Sequence, residues 1–111
     1  MVPHFAGRLA SPLEDPGRAA VMAGLSAEPV DYFRRFFADT ALFGNAHAVR
    51  CAVEFFGAGH VLFGTDMPLG PTNAVAATIA DLDAAELSGE DLKAVYVGNA
   101  MRLLGLPSGG G

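Results

Sequence analysis

The fold is decided by the stretch HVLFGTDMP, residues 60–68. Its apolar run is compact, as in a buried strand, and it ends in the polar residues Thr65 and Asp66. Gly64 allows a close backbone approach just before the aspartate, and Pro68 turns the chain away from the sheet. The pattern therefore predicts a strand over residues 60–65 whose end presents Asp66.

A second strand and a helix are predicted upstream. The segment FFADTA, residues 36–41, is compact and aromatic, which is typical of a buried strand, and Asp39 lies near its end. Asn45 is a suitable N-cap for a helix that Gly57 ends. The order strand, helix, strand predicts two adjacent parallel strands joined by a crossover helix.

Two further helices are predicted downstream. Thr72 or Asn73 is expected to cap the first, whose apolar face we assign to Val75, Ala76, Ile79 and Leu82. Ser88 is expected to cap the second, and Asn99 a last turn or two. Strands that alternate with helices indicate an α/β fold with a parallel sheet. Two parallel strands cannot form a complete sheet with both faces covered, so the chain is expected to be part of something larger.

The N-terminal third is less regular. Residues 1–10 predict a short helix, and residues 11–29 hold so many prolines and glycines that they predict a long irregular connection. Residues 31–35 predict a short helix before the first strand. Residues 107–111 are expected to be a flexible tail. We expect core positions for five aromatic residues: Phe33, Phe36, Phe37, Phe55 and Phe56.

Composition excludes several classes of protein. Hydrophobic residues make up 51% of the 111 residues, charged residues 17%, and the net charge is −5, which is unlike a disordered chain. The few basic residues form no stripe, so no nucleic-acid partner is expected. Cys51 is the single cysteine and cannot form an internal disulfide. With no long apolar run, the sequence predicts no membrane span, and a cytoplasmic location is expected.

The candidate chemistry lies at the strand ends. In parallel β/α folds the functional groups gather at the carboxyl ends of strands, where this chain places Asp39 and Asp66. Either aspartate could ligate a metal or transfer protons, or instead cap a turn or helix, and the pattern leaves both readings open. His47, early on the helix after the first strand, could reach a substrate, and Asp39 could also lie on the substrate side of the site. His60 opens its strand, so we expect it at the opposite edge.

Several segments, in the correct order, resemble the amidohydrolase-related family that contains aminocarboxymuconate-semialdehyde decarboxylase and the resorcylate decarboxylases. The resemblance rests on MVPHFAGRL at residues 1–9, YFRRFFADTA at 32–41, FFGAGHVLFGTDMP at 55–68 and GNAMRLL at 98–104. It implies that residues 1–106 hold the last β/α units of a (β/α)8 metal-dependent hydrolase barrel (a TIM barrel), which is incomplete in this chain.

The resemblance also implies a divalent metal, Zn²⁺ or Mn²⁺, at the barrel mouth. By position, Asp66 matches the last-strand aspartate that ligates the metal or handles a proton, and Asp39 matches an aspartate with a more structural role. The histidines that complete such a site precede the segment at which this sequence begins. We therefore expect that this chain does not hold the metal stably by itself.

Two functions follow from this resemblance. The first is the C-terminal portion of a metal-dependent decarboxylase or hydrolase of carboxylated aromatic or muconate-like small molecules, inactive as this chain alone. The second is a non-catalytic truncated or split-gene remnant with only a structural or interaction role. Either predicts an exposed barrel edge, and hence self-association or a complementing N-terminal portion as partner.

Overall fold

A computed structural model describes residues 2–10 and 16–107. The chain forms two compact units, Met1–Phe36 and Phe37–Gly111, which are described separately. Apart from Pro107, the tail predicted to be flexible lies outside the described residues. Within the described ranges, no helix is both long and apolar enough to cross a bilayer.

The first unit is a series of short helices. A 3₁₀ turn at Val2–Phe5 leads into α1 (Ala6–Ala10), followed by α2 (Pro16–Ala23) and α3 (Pro29–Phe33). The prediction of an irregular connection over residues 11–29 is wrong for α2. Pro16 is the first residue of that helix, a position where proline fits because its missing N–H would have no helical acceptor. Residues 11–15 of the predicted connection lie outside the described part.

The second unit contains a small parallel sheet. β1 (Ala38–Asp39) pairs with β2 (Val61–Leu62), with Ala38 opposite Val61 and Asp39 opposite Leu62. The predicted adjacency and parallel direction are confirmed, but each strand has only two residues in regular pairing. Phe36 lies in a bend instead of the predicted strand.

A threonine side chain extends the contact between the two strands. The backbone N–H of Thr40 donates to the Leu62 carbonyl at 3.1 Å. Its hydroxyl, which is completely buried, donates to the Gly64 carbonyl and accepts from the Gly64 N–H, both at 3.0 Å. Both polar groups of Gly64 are thereby satisfied by one side chain, so the strands stay in register beyond their regular hydrogen bonds.

The crossover helix forms as the sequence predicts. α4 (Ala46–Phe56) begins after Asn45, whose side chain accepts from the Ala48 N–H at 3.0 Å. It ends at Gly57, which has φ 82° and donates its N–H to the Val53 carbonyl. The left-handed φ explains the glycine, because a side chain would be strained there.

The next helix, α5 (Ala74–Ala84), buries a face that shares only Leu82 with the predicted one. Its buried residues are Ala74, Thr78, Asp81 and Leu82, whereas Val75 is 43% exposed and Ile79 is 41% exposed. The prediction counted apolar residues only, so it did not include Asp81 in the buried face. Asn73 occupies the N-cap position without a side-chain cap hydrogen bond.

The C-terminal helix has three parts that follow one another without a break: α6 (Gly89–Lys93), a π-helical turn (Ala94–Gly98) and α7 (Asn99–Leu103). Ser88 caps it as predicted and accepts from the Asp91 N–H at 3.1 Å. The prediction that Asn99 caps a last turn is wrong, because Asn99 has helical φ and ψ and lies inside the helix.

Asn99 instead ties this helix to the second strand. Its side-chain amide donates to the carbonyls of Ala58 (2.6 Å) and Val61 (2.7 Å). The Val95 carbonyl, in the π-helical turn, accepts from the Phe63 N–H at 3.0 Å. A π-helical turn displaces the regular helical bonds, which leaves a carbonyl for such a contact.

The core of the second unit is small. It consists of buried Val49, Val61, Leu82, Ala85 and Val95, with half-buried side chains such as Phe63 and Tyr96 packed against it. The prediction of core aromatics is wrong for Phe36 and Phe37, which are 58% and 38% exposed. Short strands bury fewer of their flanking residues than the sequence pattern assumed.

Candidate functional site at the strand ends

Asp66 lies on the loop after β2, four residues beyond the last paired residue. It is exposed and has φ 56°, a left-handed conformation that is uncommon for a residue with a side chain. Its carbonyl accepts from the Gly70 N–H at 2.6 Å, which closes a tight turn. Within the described residues, its carboxylate has no hydrogen-bond or ion-pair partner, so it is not a helix cap.

Asp39 lies at the same edge, because it ends β1 and the two strands are parallel and in register. A Cβ placed on Gly64 would lie 3.2 Å from the Cβ of Asp39, so the close approach predicted for Gly64 is made to this aspartate. The Asp39 carboxylate accepts from the Ala41 N–H at 3.0 Å. Through that hydrogen bond Asp39 caps a turn, which is one of the roles that the sequence leaves open for it.

The three histidines lie in different places. His47 is the second residue of α4, exposed, and follows the carboxyl end of β1. His60 directly precedes β2, and its ring stacks on Phe37 with a 4.8 Å centroid separation, so it lies at the opposite edge as expected. His4 is exposed in the 3₁₀ turn of the first unit.

The loop between β1 and α4 is fixed by an aspartate that the sequence analysis did not single out. The Asp81 side chain, only 6% exposed, accepts from the N–H groups of Gly44 (2.9 Å) and Asn45 (2.8 Å). A carboxylate is well placed there because the N-terminus of a helix carries a partial positive charge. The sequence signal for Asp81 is a charged residue on a helix that is otherwise rich in alanine.

This loop packs on the loop that carries Asp66. Phe43, 44% exposed and with φ 53°, places its ring over Gly70. A Cβ on Gly70 would lie 2.8 Å from Cε1 of that ring, closer than real atoms approach, so the glycine makes room for the aromatic side chain. The two loops that follow the two strands therefore meet at one place.

The described residues do not by themselves fit a metal centre. No three of their His, Cys, Asp or Glu side chains come together closely enough to hold an ion. Catalytic zinc normally has three protein ligands, whereas this edge offers the free carboxylate of Asp66. No reaction step through a metal can be derived from these residues alone.

A parallel strand–helix–strand unit with carboxylates at its carboxyl edge is the class of structure from which β/α barrels are built. The family model for amidohydrolases matches residues 1–106, and the chain belongs to that family.

Individual relatives agree with this assignment. The chain is 40% identical over 81 residues to 6-methylsalicylic acid decarboxylase of Penicillium expansum. The aligned region covers 72% of this chain and 25% of the relative. It superposes on 5-carboxyvanillate decarboxylase of Sphingomonas paucimobilis with a TM-score of 0.71 and 27% identity, covering 96% of this chain and 31% of that one.

A further solved structure shows likeness of fold alone. It is a dihydroxybenzoic acid decarboxylase of Polaromonas, determined with bound manganese and the inhibitor 2-nitroresorcinol, with a TM-score of 0.69 and 22% identity. The alignment covers 94% of this chain and 30% of that one. The chain thus spans less than a third of the length of these relatives and forms a partial barrel, which confirms the predicted family and fold.

Proposed function

We propose that this chain is the C-terminal portion of a metal-dependent decarboxylase of aromatic carboxylic acids, with Asp66 in its active site. Decarboxylation is favoured over hydrolysis because the sequence relative and the structural neighbour described above are both aromatic acid decarboxylases. We further propose that the chain becomes active only together with the rest of such a barrel.

The observation that carries the proposal is the state of Asp66. Its carboxylate is exposed at the carboxyl edge of the sheet, has no partner among the described residues, and is attached to a left-handed backbone. A left-handed aspartate costs free energy and persists where its surroundings fix it, and such outliers cluster at functional sites. By contrast, the Asp39 and Asp81 carboxylates accept backbone hydrogen bonds and hold loops in place.

The chemistry requires a group of this kind. Decarboxylation breaks the bond between a ring carbon and the carboxylate carbon, releases CO₂, and puts a proton on the ring carbon in its place. A carboxylic acid at the mouth can give that proton and is left as the carboxylate. Asp66 would do this or provide one metal ligand, and its freedom from other partners suits either role.

A divalent metal, zinc or manganese, would polarise the substrate in the complete enzyme. If Asp66 is a ligand instead of the proton donor, the other ligands of the metal would come from the part of the barrel that this chain does not contain. His47, exposed near the carboxyl end of β1, is proposed to lie on the substrate side of the site. The substrate would be a small aromatic acid.

The test is complementation. The chain is coexpressed with the remaining portion of the Penicillium expansum relative, purified as an assembly, supplied with Mn²⁺ or Zn²⁺, and assayed for CO₂ release from 6-methylsalicylate and dihydroxybenzoates. We expect turnover that Asp66→Asn abolishes. His60→Ala is the matched control, and it should keep most of the rate because His60 lies at the other edge.

Two outcomes would contradict the proposal. An assembly that forms and binds metal but releases no CO₂ would favour the second function, that of a structural or interaction remnant. Turnover that survives Asp66→Asn and falls with His60→Ala would place the chemistry at the wrong edge of the sheet.

A further inference from the structure

We propose that the ring of Phe43 forms the wall against which the aromatic ring of the substrate stacks, so that Phe43 is a specificity-determining residue. This inference rests on the proposed function, because that function supplies the class of ligand. Its basis in the structure is the way the ring is presented beside Asp66.

The first observation is the exposure of the ring together with its backbone. Phe43 leaves 44% of its surface exposed and has φ 53°. A left-handed conformation is unfavourable for a bulky residue and persists only when the surroundings fix it. The conformation fixes the direction in which the loop presents this ring.

The second observation is that the loop is fixed from behind. Directly after Phe43, the N–H groups of Gly44 and Asn45 both donate to the Asp81 carboxylate, which is almost completely buried. Asn45 also caps α4. The backbone next to the exposed ring is therefore anchored by two charge-assisted hydrogen bonds and a helix start.

The third observation links the ring to Asp66. Phe43 packs on Gly70, where a Cβ would lie 2.8 Å from ring atom Cε1 and 3.1 Å from Cζ. The N–H of the same glycine donates to the Asp66 carbonyl. The ring thus rests on Gly70, the residue that closes the turn begun by Asp66, so an aromatic surface and an acidic residue share one turn.

An aromatic acid presents both features that such a surface would recognise. Its ring can stack edge-to-face or offset on Phe43, an arrangement worth more than simple burial of apolar area. Its reacting carbon then lies beside the turn that carries Asp66. A saturated ring of the same size fills the same space but has no π-system.

The test is a binding measurement that does not need turnover. The dissociation constants of salicylate and cyclohexanecarboxylate are measured for the assembly of this chain with the remaining barrel portion, as coexpressed and as a single fused chain. Phe43→Leu is expected to raise the dissociation constant of salicylate roughly 3- to 10-fold and to change that of cyclohexanecarboxylate less than about twofold. Phe43→Tyr should retain salicylate binding.

Two further variants sharpen the result. Gly70→Ala should also weaken salicylate, because the new Cβ pushes the ring from its position while the aromatic residue remains. Phe37→Leu is the matched control: Phe37 is 38% exposed but lies beside His60 at the opposite edge, so both ligands should bind as before.

The inference would be overturned if Phe43→Leu weakened the binding of both ligands equally, or did not weaken the binding of either. Failure of the unmodified assembly to bind either ligand would also overturn it. Tight salicylate binding that depends on Phe43, without CO₂ release that depends on Asp66, would instead support the inference and contradict the proposed function alone.

Discussion

The carboxylates of Asp66 and Asp81 lie in opposite environments within one unit. Asp81 is buried and accepts two backbone hydrogen bonds, which compensates the loss of its hydration. Asp66 is exposed, and within the described residues its carboxylate has no protein partner. The first is therefore expected to determine stability, and the second activity.

Asp81→Ala should lower the free energy of unfolding by about 2 kcal/mol, because the buried carboxylate that fixes the Gly44 and Asn45 N–H groups is lost. The matched control is Asp83→Ala on the same helix, where the side chain is exposed and a change within about 0.5 kcal/mol is expected. Urea unfolding at low protein concentration measures both. Equal losses for the two variants would show that the Asp81 hydrogen bonds are unimportant.

Tyr96 gives a prediction for alkaline pH. Burial, and secondarily the negative charge of Asp83, raises the pKa of the Tyr96 phenol above 10.0. The unfolded chain then loses this proton at lower pH than the folded chain does. The contribution of the protonated Tyr96 phenol to the free energy of unfolding is therefore complete below about pH 10 and is lost as pH rises through the folded-state pKa. Tyr96→Phe should remove that part of the decline in thermal stability, whereas an identical decline in the variant would rule out this origin.

How much of the site the sequence predicts depends on how far apart the interacting residues lie. The position of Asp66 beyond the carboxyl end of β2 could be predicted because its signal is local: an apolar strand, a glycine and a proline around one aspartate. Asp81 could not, because its hydrogen-bond partners, Gly44 and Asn45, lie 37 and 36 residues away. Only the folded chain shows that this acidic residue faces inward.

At the scale of elements, the helix of residues 89–103 is attached to β2 by its polar groups. Asn99 donates two hydrogen bonds to carbonyls next to and within the strand, and Val95 accepts one from Phe63. These contacts lie one π-helical turn apart on a single helix. The helix thus covers backbone groups of the short strand that would otherwise lack partners.

Asn99→Ala should lower the free energy of unfolding by about 2 kcal/mol, since the carbonyls of Val61 in β2 and of Ala58 in the turn before it lose their donor. Asn73→Ala is the control, because Asn73 is exposed and makes no cap hydrogen bond in spite of its N-cap position. Its expected change is within about 0.5 kcal/mol. If both variants unfold at the same urea concentration, Asn99 does not anchor the helix.

Helix starts and ends could be predicted where one residue decides them, as Asn45, Gly57 and Ser88 do. The buried face of α5 could not be predicted from apolar periodicity, because a hydrogen-bonded aspartate replaced an apolar residue in the packed layer. The strands also proved shorter than their apolar runs, since Thr40 takes over the hydrogen bonds of Gly64 through its side chain.

At the scale of the whole molecule, the second unit exposes much apolar surface. The exposed apolar side chains include Val75 and Ile79 on α5 and Leu103, Leu104 and Leu106 at the end of the last helix. Soluble monomers seldom expose large contiguous apolar patches, and such patches commonly mark interaction sites. Relatives more than three times as long contain further barrel elements that could cover such surface.

We therefore expect the chain alone to self-associate. Sedimentation velocity should show oligomers or aggregates at micromolar concentration, and Val75→Glu combined with Ile79→Lys should shift the population toward monomer without changing net charge. Coexpression with the remaining barrel portion should have the same effect by covering the surface. A sharp monomer peak at micromolar concentration for the unmodified chain alone would contradict this expectation.

The central claim is that this chain contributes Asp66 to a decarboxylase that works only when the barrel is complete. The most direct measurement compares release of labelled CO₂ from carboxyl-¹³C 6-methylsalicylate by the chain alone and by its assembly with the remaining barrel portion, both with Mn²⁺. The account predicts no Asp66-dependent release by the chain alone and clear release by the assembly, which Asp66→Asn abolishes. Metal-dependent release by the 111-residue chain alone, lost in Asp66→Asn, would contradict it.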